Sequence, residues 1–280
     1  MNTFATRNNN KTSSLLSAVF LGLFVLLGVQ GCSSSNSTPV VNANPNGYYT
    51  GSASVKEAAD NTTPLEIDDI QVLVNDNRLM VMSKAEALLY DATITSITGN
   101  NFKANVTIYK DGKDPLSTTI SGTITEEQQI TGNIAGTGYG NGSFTVSYDA
   151  SNSNTASITD IEMSWAAAVN ESPSSLYFSV DDQGNILFIE NNTSSVIIIC
   201  NILSGSATPI ASTNLFDIEI SFANCADDPV DSSTSGVYMG LATAVLKPNP
   251  VQGQPDVLTF VMMYANPSFS VVSNATVFAN

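Results

Sequence analysis

Histidine is absent from the 280 residues. Its absence removes Ser-His-Asp and Cys-His catalytic arrangements and the commonest zinc and iron ligand sets. Cations are scarce: nine Lys and Arg stand against 25 Asp and Glu, a net charge of −16, and after Lys113 the single cation is Lys247. Nucleic-acid binding needs clustered Lys and Arg to displace counterions from phosphates, so nucleic acid is excluded as a partner. Ser-x-x-Lys, Gly-x-Ser-x-Gly and Gly-x-x-x-x-Gly-Lys do not occur, so the serine-nucleophile and phosphate-loop signatures are missing as well. Only one apolar run is long enough to draw attention as a membrane or export segment.

That run is Leu15–Val29, preceded by Arg7 and Lys11 and followed by Gln30-Gly31-Cys32. A short positive stretch, an apolar segment below spanning length and small residues before a cut describe a secretory signal rather than a transmembrane helix. Val29-Gln30-Gly31-Cys32 resembles the lipobox of bacterial lipoproteins: an apolar residue three before the Cys, a small one just before it, then Cys. The unusual member is Gln30. The resemblance implies that Cys32 carries a diacylglyceryl group, that residues 1–31 are removed, and that the new amino group is acylated. Ser33, where an Asp would mark retention at the inner membrane, resembles lipoproteins sorted to the outer membrane. Two or three acyl chains, at about 0.8 kcal/mol per buried CH₂, hold a protein durably where one chain is marginal. The partner implied is therefore the membrane, reached through the lipid on Cys32.

Removing Arg7 and Lys11 with the signal leaves 249 residues with seven cations against 25 acids, a net charge of −18. Such a surface repels anionic headgroups, so lipid rather than electrostatics supplies the attachment. Setting Cys32 aside leaves Cys200 and Cys225, an even pair in an oxidising compartment and a candidate disulfide. Closing that loop would contribute about 3.5 kcal/mol on the chain-entropy model. Two buried thiols are the other reading.

Residues 32–46, the lipidated Cys and a Ser/Asn/Pro-rich stretch, read as a flexible linker. From Gly47 onward apolar residues recur with period two. Phe102, Ala104, Val106 and Ile108 alternate with Lys103, Asn105 and Thr107, and Phe144, Val146 and Tyr148 with Thr145 and Ser147. Turn signals punctuate these runs at Asn75-Asp76-Asn77, Gly99-Asn100, Asp111-Gly112, Asp181–Asn185 and Pro248-Asn249-Pro250. Lys84–Leu89 is the one stretch with the look of a helical turn. A faint repeat accompanies the pattern. Ile70–Met82 matches Leu176–Ile189, Asn101–Tyr109 matches Asn214–Phe222, and Ser121-Gly122 matches Ser235-Gly236, so the offset grows from 106 residues to 114.

These features predict an all-β body of two tandem small antiparallel domains, β-barrels or β-sandwiches, at residues 47–150 and 157–280, divided at the polar Ser151–Ala156. Gly47-Tyr48-Tyr49-Thr50-Gly51 is similar to the Gly-x-Trp opening strand of lipocalin-like barrels, with Tyr in place of Trp. Trp165 is its counterpart in the second half, read as a core aromatic.

Candidate chemistry is confined to carboxylates. Asp68-Asp69, Glu126-Glu127, Asp181-Asp182 and Asp227-Asp228 are adjacent, and neighbours on a strand point to opposite faces. Asp160/Glu162 and Asp217/Glu219 share a face but alternate with apolar residues, which reads as a solvated face. Asp227, Asp228 and Asp231 could supply three oxygens to Ca²⁺ without matching the calcium-loop spacing. Gly136–Gly142 precedes a strand, not a helix, and is a hairpin connection rather than a dinucleotide loop. The sequence therefore predicts no catalytic residues, no cofactor and no enzyme. It predicts an outer-membrane lipoprotein that binds or scaffolds an envelope protein, a glycan or a small ligand. A carboxylate-pair glycan hydrolase is the alternative.

Overall fold

The computed structural model describes residues 39–56, 64–110, 114–136, 140–150, 154–168, 175–188, 201–223, 236–247, 257–265 and 270–277. Every regular element among them is a strand, apart from a 3-10 turn at Ile158–Asp160. The fold class is all-β, as the period-two patterning predicts.

Eight strands close into an antiparallel barrel: β1 (Gly47–Lys56), β2 (Pro64–Asn75), β3 (Arg78–Ser83), β4 (Leu88–Thr98), β5 (Asn101–Lys110), β6 (Leu116–Thr125), β7 (Gln129–Ala135) and β8 (Asn141–Tyr148). Each pairs with its sequence neighbour, and β8 returns to β1 through pairs such as Tyr49 with Tyr148 and Ala53 with Phe144. Closure leaves no free edge, the usual hazard of an exposed sheet. The alternation of β5 holds residue by residue: Phe102, Ala104, Val106 and Ile108 are buried while Asn101, Lys103 and Asn105 are exposed. At the β2–β3 turn Asp76 takes a φ of 51°, and Gly99 takes 58° between β4 and β5. Asn, Asp and Gly tolerate that left-handed region best, which is why these signals mark reversals. Lys84–Leu89 is corrected in part. Lys84–Ala87 is a turn and Leu88 already belongs to β4, because Ala87, at a φ of 45°, ends any helical course.

Inside the barrel, Phe102, Gly122, Gly132 and Phe144 form one straight row across β5 to β8. A Cβ on Gly132 would meet the Phe144 ring, and one on Gly122 would meet Phe102 and the Thr131 backbone. The two glycines make room for the two rings, so side chains fill the interior at this row.

The second sheet contains β9 (Ser164–Ala168), β10 (Ser175–Val180), β11 (Ile186–Phe188), β12 (Asn201–Pro209), β13 (Leu215–Ala223), β14 (Gly236–Lys247), β15 (Val257–Ala265) and β16 (Ser270–Val277). Its spatial order is β11-β10-β9-β16-β15-β14-β13-β12, so β16 returns to β9 as β8 returns to β1. Between β11 and β12 the described residues place one bridge, Asn185 with Ser206, and one bond from the Ala207 N–H to the Gly184 carbonyl. Among the described residues the sheet thus has the barrel's circular order, with those two contacts between β11 and β12. Trp165, Phe178, Phe216 and Phe260 pack within it, with Phe260 against each of the other three rings.

A third apolar layer joins the sheets. Tyr48, Leu73, Met80, Met82, Leu89 and Tyr109 alternate with the barrel's interior residues and therefore point outward. They are buried against Leu215, Leu241, Val245, Val261, Met263 and Ala265, the outward residues of the second sheet. Val40–Asn280 accordingly forms one compact unit. Of the polar junction, Ala156 donates its N–H to the Thr213 carbonyl, and residues 151–153 lie outside the described set.

Candidate functional site

The expected lipidation site Cys32, the candidate disulfide pair Cys200 and Cys225, and the candidate calcium loop Asp227, Asp228 and Asp231 lie outside the described residues. Among the described residues no three acidic or sulfur side chains converge as a metal-binding group.

The acid pairs can be placed one by one. Asp68 and Asp69 fall at a register shift where Gly51 pairs with Ile70 and Ala53 with Ile67. The expectation of opposite faces fails here, because a bulge interrupts the alternation and lets Ile67 and Ile70 both enter the core. Asp69 then accepts bonds from the Ser83 hydroxyl and the Ala85 N–H, so it organises the β3–β4 turn. Glu126 and Glu127 are exposed in the β6–β7 turn, where Glu127 has a φ of 52°. Asp181 accepts the Gln183 N–H at 2.9 Å, the Asn185 N–H at 2.8 Å and the Asn185 side-chain amide at 2.8 Å. Those bonds, the Asn185 side chain's foremost, hold its pKa below the usual carboxylate range.

Asp160 sits on the 3-10 turn rather than a strand and caps the Ser157 N–H at 2.9 Å. Asp217 and Glu219 are exposed while Ile218 and Ile220 are buried, as the alternation predicts. Partial desolvation raises the Asp217 pKa, with Arg78 opposing and Asp76 adding to the effect. Among the described residues, the acids placed here sit in turns, at a cap or on wet faces.

The aromatic anchors are structural. Tyr49 is buried on β1 and donates its hydroxyl to the Pro45 carbonyl at 2.8 Å, four residues upstream. Trp165 is buried on β9 and donates its indole N–H to the Ile161 carbonyl at 2.9 Å, also four residues upstream. Both stand at the head of their sheets and tie the incoming chain across one end. Burial pushes the hydroxyl pKa values of Tyr48, Tyr49 and Tyr264 well above the ordinary tyrosine range, so all three stay neutral.

Arg78 had no distinguishing motif. Its guanidinium grips Asp91 through two nitrogens, at 3.2 and 3.1 Å, and the second also reaches the Met239 carbonyl on β14 at 2.9 Å. A cation immediately after a reversing Asn-Asp-Asn turn, in a chain so poor in cations, was the available signal.

Two open clefts lie on the outward face of β4, β5 and β6. One, of about 390 Å³, is lined by Ser96, Thr98, Asn101, Lys103, Ser121 and Asn133 among others. The second, of about 370 Å³, takes in Asp91, Thr93, Asn105, Thr107 and Ser117. The first has no acid, and the acid of the second is the one Arg78 holds. Neither presents the two carboxyl groups that glycoside hydrolysis requires. Comparisons of this chain with protein-family models, with curated proteins and with solved structures find no match.

Proposed function

We propose that this chain is a lipid-anchored protein of the bacterial envelope, attached to the outer membrane through Cys32, with a non-catalytic binding or scaffolding role carried by two β-domains in tandem. The observation that carries the reading is the Leu15–Val29 run ending at Val29-Gln30-Gly31-Cys32. The body fits that setting. Its barrel is apolar inside, with Ser, Thr and Asn on the exposed faces of β5 to β8, the inverse of a lipid-facing barrel. Attachment then falls to the lipid.

The tandem reading rests on corresponding positions. The β2–β3 and β10–β11 hairpins hold the first matched pair of segments, β5 and β13 the second, and Ser121-Gly122 lies in β6 as Gly236 opens β14. Tyr49 and Trp165, each tied to a carbonyl four residues back, add an independent correspondence. Against the hydrolase alternative stands the dispersal of the described acids over turns and wet faces.

Fractionation of envelope-producing cells tests the anchor. The unmodified chain is expected in the outer-membrane fraction and the Cys32→Ser chain to lose that location. Equal recovery of both forms with the outer membrane overturns the proposal.

A further inference from the structure

The outward faces of β4 to β7 form a lattice of polar groups in straight rows, uncharged apart from Lys103 and Asp91. Ser96 pairs with Lys103, Lys103 with Ser121 and Ser121 with Asn133. Alongside run Thr98, Asn101 and Thr123 on one flank, and Thr93, Asn105 and Thr119 on the other. Asp91, Thr107 and Ser117 complete the series. Strand spacing sets neighbours about 4.8 Å apart across a row, and same-face residues about 6.7 Å apart along a strand. The two clefts lie end to end on this lattice with β5 as their shared floor. At Thr95 a register shift in β4 falls between Ile94 and Ser96, and the Thr95 hydroxyl donates to the Lys103 carbonyl.

The charges point to the occupant. The lattice carries Lys103 and Asp91, and Asp91 is paired to Arg78, whereas the whole chain has a net charge of −16. An anionic polymer approaching this face is repelled by the body and meets one free cation at the lattice. An uncharged one has no electrostatic cost, and every row offers it hydroxyl and amide groups that both donate and accept. We infer that the β4–β7 face binds a strand of neutral glycan lying along β5, its hydroxyls exchanging hydrogen bonds with Asn101, Asn105, Ser121 and their row neighbours. Many hydrogen bonds each of modest net worth make such a site weak per sugar and dependent on chain length. The inference rests on reading the body as a non-catalytic binding module and names that module's ligand class.

Electrophoresis of the detergent-solubilised full chain through native gels containing polysaccharide tests it. The acidic chain migrates readily, so retardation reads binding directly. At least one of dextran, laminarin and galactomannan is expected to slow the unmodified protein, and alginate, an anionic polymer, is not. Asn105→Glu with Ser121→Glu should weaken retardation at least about tenfold, whereas Thr208→Glu, exposed on β12, should leave it unchanged. Should the double variant misfold by circular dichroism, the exposed single substitutions Asn101→Leu and Asn105→Leu each test the same rows and should each reduce retardation. Failure of every neutral polysaccharide to retard the chain, equal retardation by alginate, or retardation unaffected by the row substitutions overturns the inference. A negative result with Cys32-dependent membrane recovery intact removes this inference alone. Loss of that dependence with glycan retention intact removes the anchor alone.

Discussion

Arg78 shows how one side chain couples two sheets. Its side chain and that of Asp91 keep 27% and 25% of their exposure, so the pair is partly screened, and the added bond to Met239 supplies direction. Arg78→Met should lower stability by about 1–3 kcal/mol, read as a lower urea midpoint with an unchanged slope. Asp181 gives a pH signature. Asn185 and the turn N–H groups bind its carboxylate more strongly when it is ionised, so that extra contribution is present above the ordinary carboxylate pKa and is lost as pH falls through the lowered one. Asp181→Asn should therefore destabilise at neutral pH, with the difference from the unmodified protein closing on acidification. Gly132 belongs to the same scale. Gly132→Val drives a branched side chain into the Phe144 ring and should cost about 1–3 kcal/mol, measured by thermal or denaturant unfolding.

At the scale of elements, much was legible and some was not. The alternation of β5 and the turns at Asn75–Asn77 and Gly99-Asn100 follow from local chemistry, because side-chain direction and left-handed tolerance need no knowledge of distant residues. The Asp68-Asp69 bulge was not legible, since it depends on the register against β1. Burial on both faces does leave a trace in the sequence. Ile70–Val74 and Leu79–Met82 are nearly unbroken apolar runs, which marks strands covered on two sides, and one of those covers is the second sheet. The β4–β7 lattice was hidden too: Ser, Thr and Asn read as ordinary solvated positions until the register aligns them in rows. The paired aromatic ties predict a graded effect. Trp165→Phe loses the bond to Ile161 and should cost about 1 kcal/mol, whereas Trp165→Ala leaves a void among Phe178, Phe216 and Phe260 and should cost about 3–5 kcal/mol, both by calorimetry or denaturant titration.

At the scale of the whole molecule, the layer of Tyr, Leu and Met between the sheets sets the cooperativity. Val261 and Met263 are fully buried there, so Leu241→Ala should cost about 2–5 kcal/mol and the unmodified body should unfold in one transition by calorimetry. Two separated transitions would mean that the layer does not couple the sheets. Export, attachment and the outward polar face form one account only if the lipid is present, and that depends on Cys32. The most direct measurement is mass spectrometry of the amino-terminal peptide of the protein purified from envelopes. The account predicts a peptide beginning at Cys32 with a diacylglyceryl group on its sulfur. A peptide still continuous with Leu15–Gly31, or one beginning at an unmodified Cys32, would contradict it.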